Sequence, residues 1–358
     1  MKKTNRFTVA ITGMNALPEN PAPGISVASC LRKSFGNKVR IVGLGYDAFD
    51  VGLYAEDLCD AAYLLPYPRF GSEALFLRLL DIKKEERIDA LIPCLDSELS
   101  GIIGMSDRLL GIGIHTFLPT ADQLMRCHKD RLPELASKIN LHYPEVKALF
   151  SPDFFNFCHF EGWTYPLIVK GPFYDARKVF SSSEATEAFN DMVKDWGYPI
   201  LVQRFIQGEE CNFSAIGDGQ GGMIGGVTIK KVALTSKNKA CVGVTIADEA
   251  VFDYAQNMVK ELQWKGPFEL ELMCDSGGNY HLIEINPRFP AWISISEKAG
   301  QNLPARLIEM ILGLEQRSVF DSPVTGTYFI RYSSEQMVTL NQLEQMIAHG
   351  TSVVDTKE

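Results

Sequence analysis

Three glutamates stand in a stretch that otherwise has the pattern of two β-strands. The segment ELELMCDSGGNYHLIEINPR, residues 269–288, sets Glu269, Glu271 and Glu284 among apolar residues. Glutamate is depleted in strands, and like charges facing each other across a sheet repel. SGGN at 276–279 is a turn signal, with Gly277 and Gly278 able to take positive φ. A two-residue loop there sets Glu271 opposite Glu284 and Glu269 opposite Asn286. Side chains alternate along a strand, so these four share one face, and Leu270, Leu272, Ile283 and Ile285 share the other. Carboxylates and an amide oxygen so placed repel unless a cation lies among them. A hard divalent ion such as Mg²⁺ takes oxygen ligands, keeps some waters and is commonly shared with substrate phosphates. The alternative is a solvated strand face with scattered charges.

HLIEINPR, residues 281–288, resembles the metal-binding strand of the ATP-grasp superfamily, where Glu-x-Asn followed by Pro-Arg recurs. The resemblance runs from residue 7 to 315, and its nearest flavour is the carbamoyl-phosphate-synthase-like and carboxylate–amine ligase group. It implies ATP and Mg²⁺ as cofactors, with Mn²⁺ as a substitute, and Glu271, Glu284 and Asn286 as metal ligands. Arg288 is the implied catalytic contact to the transferred phosphoryl group or acyl phosphate, its charge suited to a polyanion. A salt bridge to a neighbouring carboxylate is its other role.

The same resemblance extends to the nucleotide. Lys170, closing the strand YPLIVK, matches the lysine that reaches the α- and β-phosphates. Lys129 in CHKDRL matches an earlier phosphate-binding lysine, with Arg131 as its competitor. LVQRFIQGEE, residues 201–210, resembles the hinge that holds adenine. Gln203 stands where many relatives have Glu, and it accepts from the adenine amino group through its carbonyl oxygen. Backbone groups of Phe205 and Ile206 supply the other base contacts, and Glu210, with Glu209 as the alternative, binds the ribose hydroxyls. Lys230, rather than its neighbour Lys231, gives a further cation. One departure stands out: the lid segment GPFYDARKVFSS holds a single glycine, Gly171, and the cations Arg177 and Lys178 in place of a glycine-rich loop.

The surrounding elements are those needed to position such a site. FTVAIT (7–12), KVRIVGLG (38–45) and DALIPCL (89–95) alternate with helical runs, which predicts a parallel α/β sheet covered on both faces. The expected fold class is α/β and α+β, an ATP-grasp fold with an N-terminal α/β domain over 1–120. A helical linker and lid follow over 121–205, with a βαβ alternation from 150. The C-terminal subdomain with the metal site spans 206–320, mostly antiparallel, and 321–358 is peripheral. Asp96 and Glu98 follow the third strand and either hold a substrate ammonium or start a helix. Trp292 either lines an acceptor pocket or packs in the core.

Composition narrows the function. The 358 residues carry a net charge of −9, so nucleic acid, which needs a basic footprint, is not an expected partner. No apolar run reaches the length of a membrane span. The eight cysteines include no C-x-x-C pair and sit mostly in apolar runs, which fits reduced thiols and a cytoplasmic protein. The resemblance then implies an ATP-dependent ligase that joins a small carboxylate to an amine through an acyl phosphate, possible as a homodimer. The alternatives are a kinase acting on bicarbonate or carbamate, and a nucleotide-binding protein without turnover.

Overall fold

The computed structural model describes residues 6–171, 176–314 and 322–353, with the side chains of 352 and 353 excepted. The chain divides into two compact units. The first comprises residues 1–126, 212–270 and 285–358, and the second residues 127–211 and 271–284.

In the first unit, β1 (Phe7–Ile11), β2 (Val39–Gly45), β3 (Ala61–Leu64) and β4 (Ala90–Ile92) form a parallel sheet in the order β3-β2-β1-β4. Both faces are apolar, as a parallel sheet under helices requires. Val9, Ile11 and Ile41 pack with Val27 and Leu31 of α1 (Gly24–Phe35). Ala10, Val42 and Leu44 pack with Leu75, Leu79 and Ile82 of α2 (Ser72–Glu86), and with Leu99 and Ile102 of α3 (Asp96–Gly104). The sequence predicts three strands here. The fourth, β3, is only four residues of AAYL, too short and too rich in alanine to stand out.

In the second unit, β5 (Val146–Leu149), β6 (Leu167–Lys170), β7 (Ala176–Val179) and β8 (Ile200–Arg204) form an antiparallel sheet in the order β5-β8-β6-β7. The expected βαβ unit is therefore replaced. The short strand β7 returns the chain before the helix Ser182–Trp196, so β6 and β8 run in opposite directions. Ser181 caps that helix by accepting from the Glu184 N–H at 3.2 Å. Leu167, Val169, Ile200 and Val202 face Ala185, Phe189 and Met192 of the helix.

The remaining strands are β9 (Gly208–Asp218), β10 (Met223–Leu234), β11 (Ala240–Ile246), β12 (Lys265–Asp275), β13 (Tyr280–Asn286) and β14 (Tyr328–Ile330). They form one sheet in the order β13-β12-β9-β10-β11-β14, antiparallel where β10 meets β11 and where β11 meets β14. The chain ends by returning to the first sheet, where β15 (Thr351–Val353) pairs antiparallel with β3. None of the eight cysteines is joined in a disulfide. Among the described residues, no helix is long and apolar enough to cross a membrane.

Candidate active site

The hairpin tip lies in the second unit. The Asp275 N–H donates to the Asn279 carbonyl at 2.9 Å and the Gly278 N–H to the Asp275 carbonyl at 3.0 Å. The loop therefore has three residues, 276–278, with Gly278 at φ +81°, where two were expected. Asp275 explains the choice. Its carboxylate accepts from the N–H groups of Gly277 at 2.8 Å and Asn279 at 2.9 Å, and lies 2.9 Å from His281 Nε2. The His281 contact and these N–H groups hold its carboxyl well below the usual range.

The longer loop shifts the register by one at the tip. Further along, Asn286 Nδ2 donates to Glu269 Oε2 at 2.9 Å, which places those two side chains on one face. The side chains of Glu269 and Asn286 thus meet, as expected, although the loop is one residue longer than expected.

Four of the predicted residues converge electrostatically in the second unit. Lys129 Nζ lies 3.6 Å from Glu284 Oε1. Burial pushes the Lys170 ammonium down to about 8, Glu284 and Glu271 oppose that shift, and Lys129 adds to it. Lys170 therefore feels both carboxylates and the second ammonium group. Tyr143, which the sequence did not single out, is pushed up to about 12 by burial and by Glu284.

Lys170 sits on the sheet face turned away from the helix. Leu167 and Val169 enter the core, so Ile168 and Lys170 point the other way, beside Gln203 and Leu201 of β8. Gln203 is only 3% exposed, and its Nε2 has no hydrogen-bond partner among the described residues. A buried donor left unmet is costly, which marks a position for a ligand acceptor. Lys178 Nζ stands 3.7 Å from the Phe205 ring centroid, a cation–π contact between a lid cation and the hinge. Ile206 and Glu210 are half-buried and Glu209 is exposed.

Lys230, Asn286 and Arg288 belong to the first unit. Lys230 is half-buried on β10, opposite Val244, on the face away from the buried Val227 and Ile229. Glu269 is buried and accepts from Asn212 Nδ2 at 2.7 Å, Trp292 Nε1 at 2.7 Å and Asn286 Nδ2 at 2.9 Å. It is therefore occupied as a structural acceptor. Because a carboxylate only accepts, it turns the Asn286 amide so that Oδ1 faces away, toward Arg288 Nη2 at 3.4 Å. Trp292 packs with Val227, Ile229 and Ile295, so of its two roles the core one holds.

Arg288 donates through Nε at 3.0 Å and Nη2 at 2.8 Å to Asp96 Oδ2, and through Nη1 at 3.2 Å to the Phe289 carbonyl. Glu98, the second acid of that loop, is buried and accepts from Tyr46 Oη at 2.5 Å, the Cys94 N–H at 2.9 Å, the Leu95 N–H at 3.0 Å and Thr12 Oγ1. Burial pushes its carboxyl up. Among the described residues, no three Asp, Glu, His or Cys side chains gather closely enough to hold a metal by themselves. Glu271 and Glu284 of the second unit are still hard oxygen donors of the kind Mg²⁺ takes together with waters and phosphate.

Comparison with known proteins agrees with this architecture. The biotin carboxylase domain of the Hydrogenobacter thermophilus 2-oxoglutarate carboxylase, crystallised as a dimer with MgADP, ADP and bicarbonate, superposes with a TM-score of 0.67. The match covers 90% of this chain and 73% of that one at 16% identity. A family model described as "ATP-grasp in the biosynthetic pathway with Ter operon" matches residues 198–332. This is an ATP-grasp fold. The chain is also similar to an L-amino acid ligase from Bacillus licheniformis, with a TM-score of 0.62 over 86% of this chain and 74% of that one at 17% identity. Carbamoyl phosphate synthase large chains match in sequence. That of Clostridium botulinum (strain Eklund 17B / Type B) is 23% identical over 52% of this chain and 18% of its own length. That of Clostridium beijerinckii is 22% identical over 67% of this chain and 24% of its own length. The chain thus spans about a fifth of the length of those relatives.

Proposed function

We propose that this protein is an ATP-dependent ligase that joins a small carboxylate to an amine through an acyl phosphate, releasing ADP and phosphate. The observation that carries the reading is the approach of Lys129 Nζ to Glu284 Oε1 at 3.6 Å, with Lys170 within the electrostatic reach of both and of Glu271. Lysines beside carboxylates on a strand face are what polyphosphate held through a divalent cation requires.

In this reading Lys170 and Lys129 bind phosphate oxygens, with Lys230 as a further cation. Glu271, Glu284 and Asn286 hold Mg²⁺, whose charge offsets that of the phosphates. The Ile168 and Gln203 face receives the base, and the unmet amide of Gln203 meets a ring acceptor or, turned over, the adenine amino group. Backbone groups of Phe205 and Ile206 add base contacts, and Glu210 takes the ribose hydroxyls. Arg288, oriented by Asp96, contacts the transferred phosphoryl group. Positioning and charge neutralisation are the chain's whole contribution, as in other phosphoryl transfers.

The test is ADP and phosphate release from Mg²⁺-ATP with pooled amino acids, small carboxylates and polyamines. Release that depends on a pool is expected. Glu284→Gln should lower it on the order of a hundredfold or more while the fold persists. Equal release by that variant would sink the metal assignment. A second reading, a kinase acting on bicarbonate or carbamate, has the carbamoyl phosphate synthase relatives in its favour. Release driven by bicarbonate alone would select it.

A further inference from the structure

The parallel sheet of the first unit has a reversal point. The chain builds β1, β2 and β3 outward on one side, then crosses to place β4 on the other side of β1. Ligands of open α/β sheets bind in the crevice outside the carboxyl ends of the two strands flanking such a point. Here the loops that follow β1 and β4 are locked together. Glu98 accepts from Thr12 on one side and from the Cys94 and Leu95 N–H groups on the other. Gly13, at φ +69°, comes so close that a Cβ there would stand 3.0 Å from the Cβ of Cys94.

Asp96 follows that locked loop. Its Oδ2 takes two N–H groups of Arg288, at 3.0 and 2.8 Å. Its Oδ1 is out of contact with water and finds no partner among the described residues. The start of α3 accounts for a negative charge at this position. It does not account for a carboxylate that, on a side chain 29% exposed as a whole, spends both bonds on one oxygen and seals the other from water without a donor, a costly state for that atom. The missing partner is a donor, and beside a carboxylate the favoured donor is a cation. Arg288 sharpens the argument. In the ligase reading it meets a carboxylate or acyl phosphate, which brings negative charge up against Asp96. A positive group on the substrate balances it.

We infer that the carboxyl end of β4, where Asp96 meets Arg288, carries a subsite for a substrate ammonium group, bound by Asp96 Oδ1. This rests on the ligase reading above. A bicarbonate kinase brings no such group. The ammonium has two sources, the α-amino group of the carboxylate substrate or the attacking amine.

The test compares the full chain with Asp96→Asn and Asp96→Glu under Mg²⁺-ATP. One arm uses pooled α-amino acids with hydroxylamine, which traps the acyl phosphate as a hydroxamate. A second uses the same acids N-acetylated, and a third adds pooled polyamines to the N-acetylated acids. Asp96→Asn should raise the KM of the ammonium-bearing pool on the order of tenfold or more relative to the N-acetylated arm, and Asp96→Glu should recover part of it. A change in the amino-acid hydroxamate arm assigns the subsite to the carboxylate substrate. A change confined to the polyamine arm assigns it to the attacking amine. Equal effects on charged and N-acetylated arms, or a fall in kcat with every KM unmoved, would overturn the inference and leave Asp96 as a holder of Arg288. No ADP release by the unaltered chain in any arm would bring down the ligase reading itself, and the subsite with it.

Discussion

Lys170 shows how one side chain reports a site. A cation at the end of a strand is usually solvated. Here burial drives the ammonium down to about 8, and the carboxylates of Glu284 and Glu271 push back. The fold therefore penalises the charge it keeps, a common condition of functional groups. Two consequences separate a ligand role from a structural one. Lys170→Met should not lower the melting temperature, because it removes a desolvated charge and keeps the apolar stem. The same change should weaken Mg²⁺-ATP binding on the order of tenfold or more, read by isothermal titration, with Lys170→Arg recovering part. Unchanged affinity would remove Lys170 from the phosphate site. Lys170, Glu271 and Glu284 were legible because they interrupt apolar strands, whereas Lys129, in a turn, and the role of Gln203 were reached through the resemblance. Tyr143 carries no such mark, since its importance lies in what surrounds it. Glu269 carried the mark and misled, for its partners Asn212 and Trp292 lie 57 and 23 residues away in sequence.

Elements place these residues, and some approaches are closer than a sequence shows. The start of α1 lies against the loop after β1: the Gly24 N–H donates to the Gly13 carbonyl at 3.0 Å. A Cβ on Gly24 would meet the carbonyl oxygens of Thr12 and Gly13 at 2.3 and 2.4 Å, both main chain and unable to rotate away. Gly24→Ala must therefore open α1 from β1 and disturb the Thr12 bond to Glu98. The expected loss is about 1–3 kcal/mol, measured by chemical denaturation, and an unmoved midpoint would contradict the contact. Periodicity made β1, β2 and β4 readable as continuous apolar runs. It could not show β7, three of whose four residues, Ala176, Arg177 and Lys178, are exposed. Nor did it show the three-residue hairpin loop, because Asp275 wins through side-chain bonds that compete with the two-residue turn. The Glu269 and Asn286 side chains nevertheless meet, so that part of the reading held although the loop length did not.

At the scale of the whole molecule, the chain passes between its two units four times, at 126/127, 211/212, 270/271 and 284/285. The second unit has its own core of Leu167, Val169, Phe189, Ile200 and Val202, and it carries Lys129, Lys170, Glu271 and Glu284. It is also the smaller unit, and smaller cores bury a smaller share of their surface. Its opening should therefore set the first step of thermal unfolding. A ligand bound by its lysines and glutamates stabilises only the closed form. At a hundred times its Kd that amounts to about 2.7 kcal/mol. For a unit of about 100 residues the melting temperature should therefore rise by about 10–20 °C. Scanning calorimetry with Mg²⁺-ATP should show the lower transition moving up, and EDTA should cancel most of the shift. Hydrogen exchange should slow first in β6 and β8, the strands that carry Lys170 and Gln203. A shift that survives EDTA would mean that nucleotide binds without the metal. Protection confined to the parallel sheet of the first unit would move the nucleotide away from Lys170 altogether.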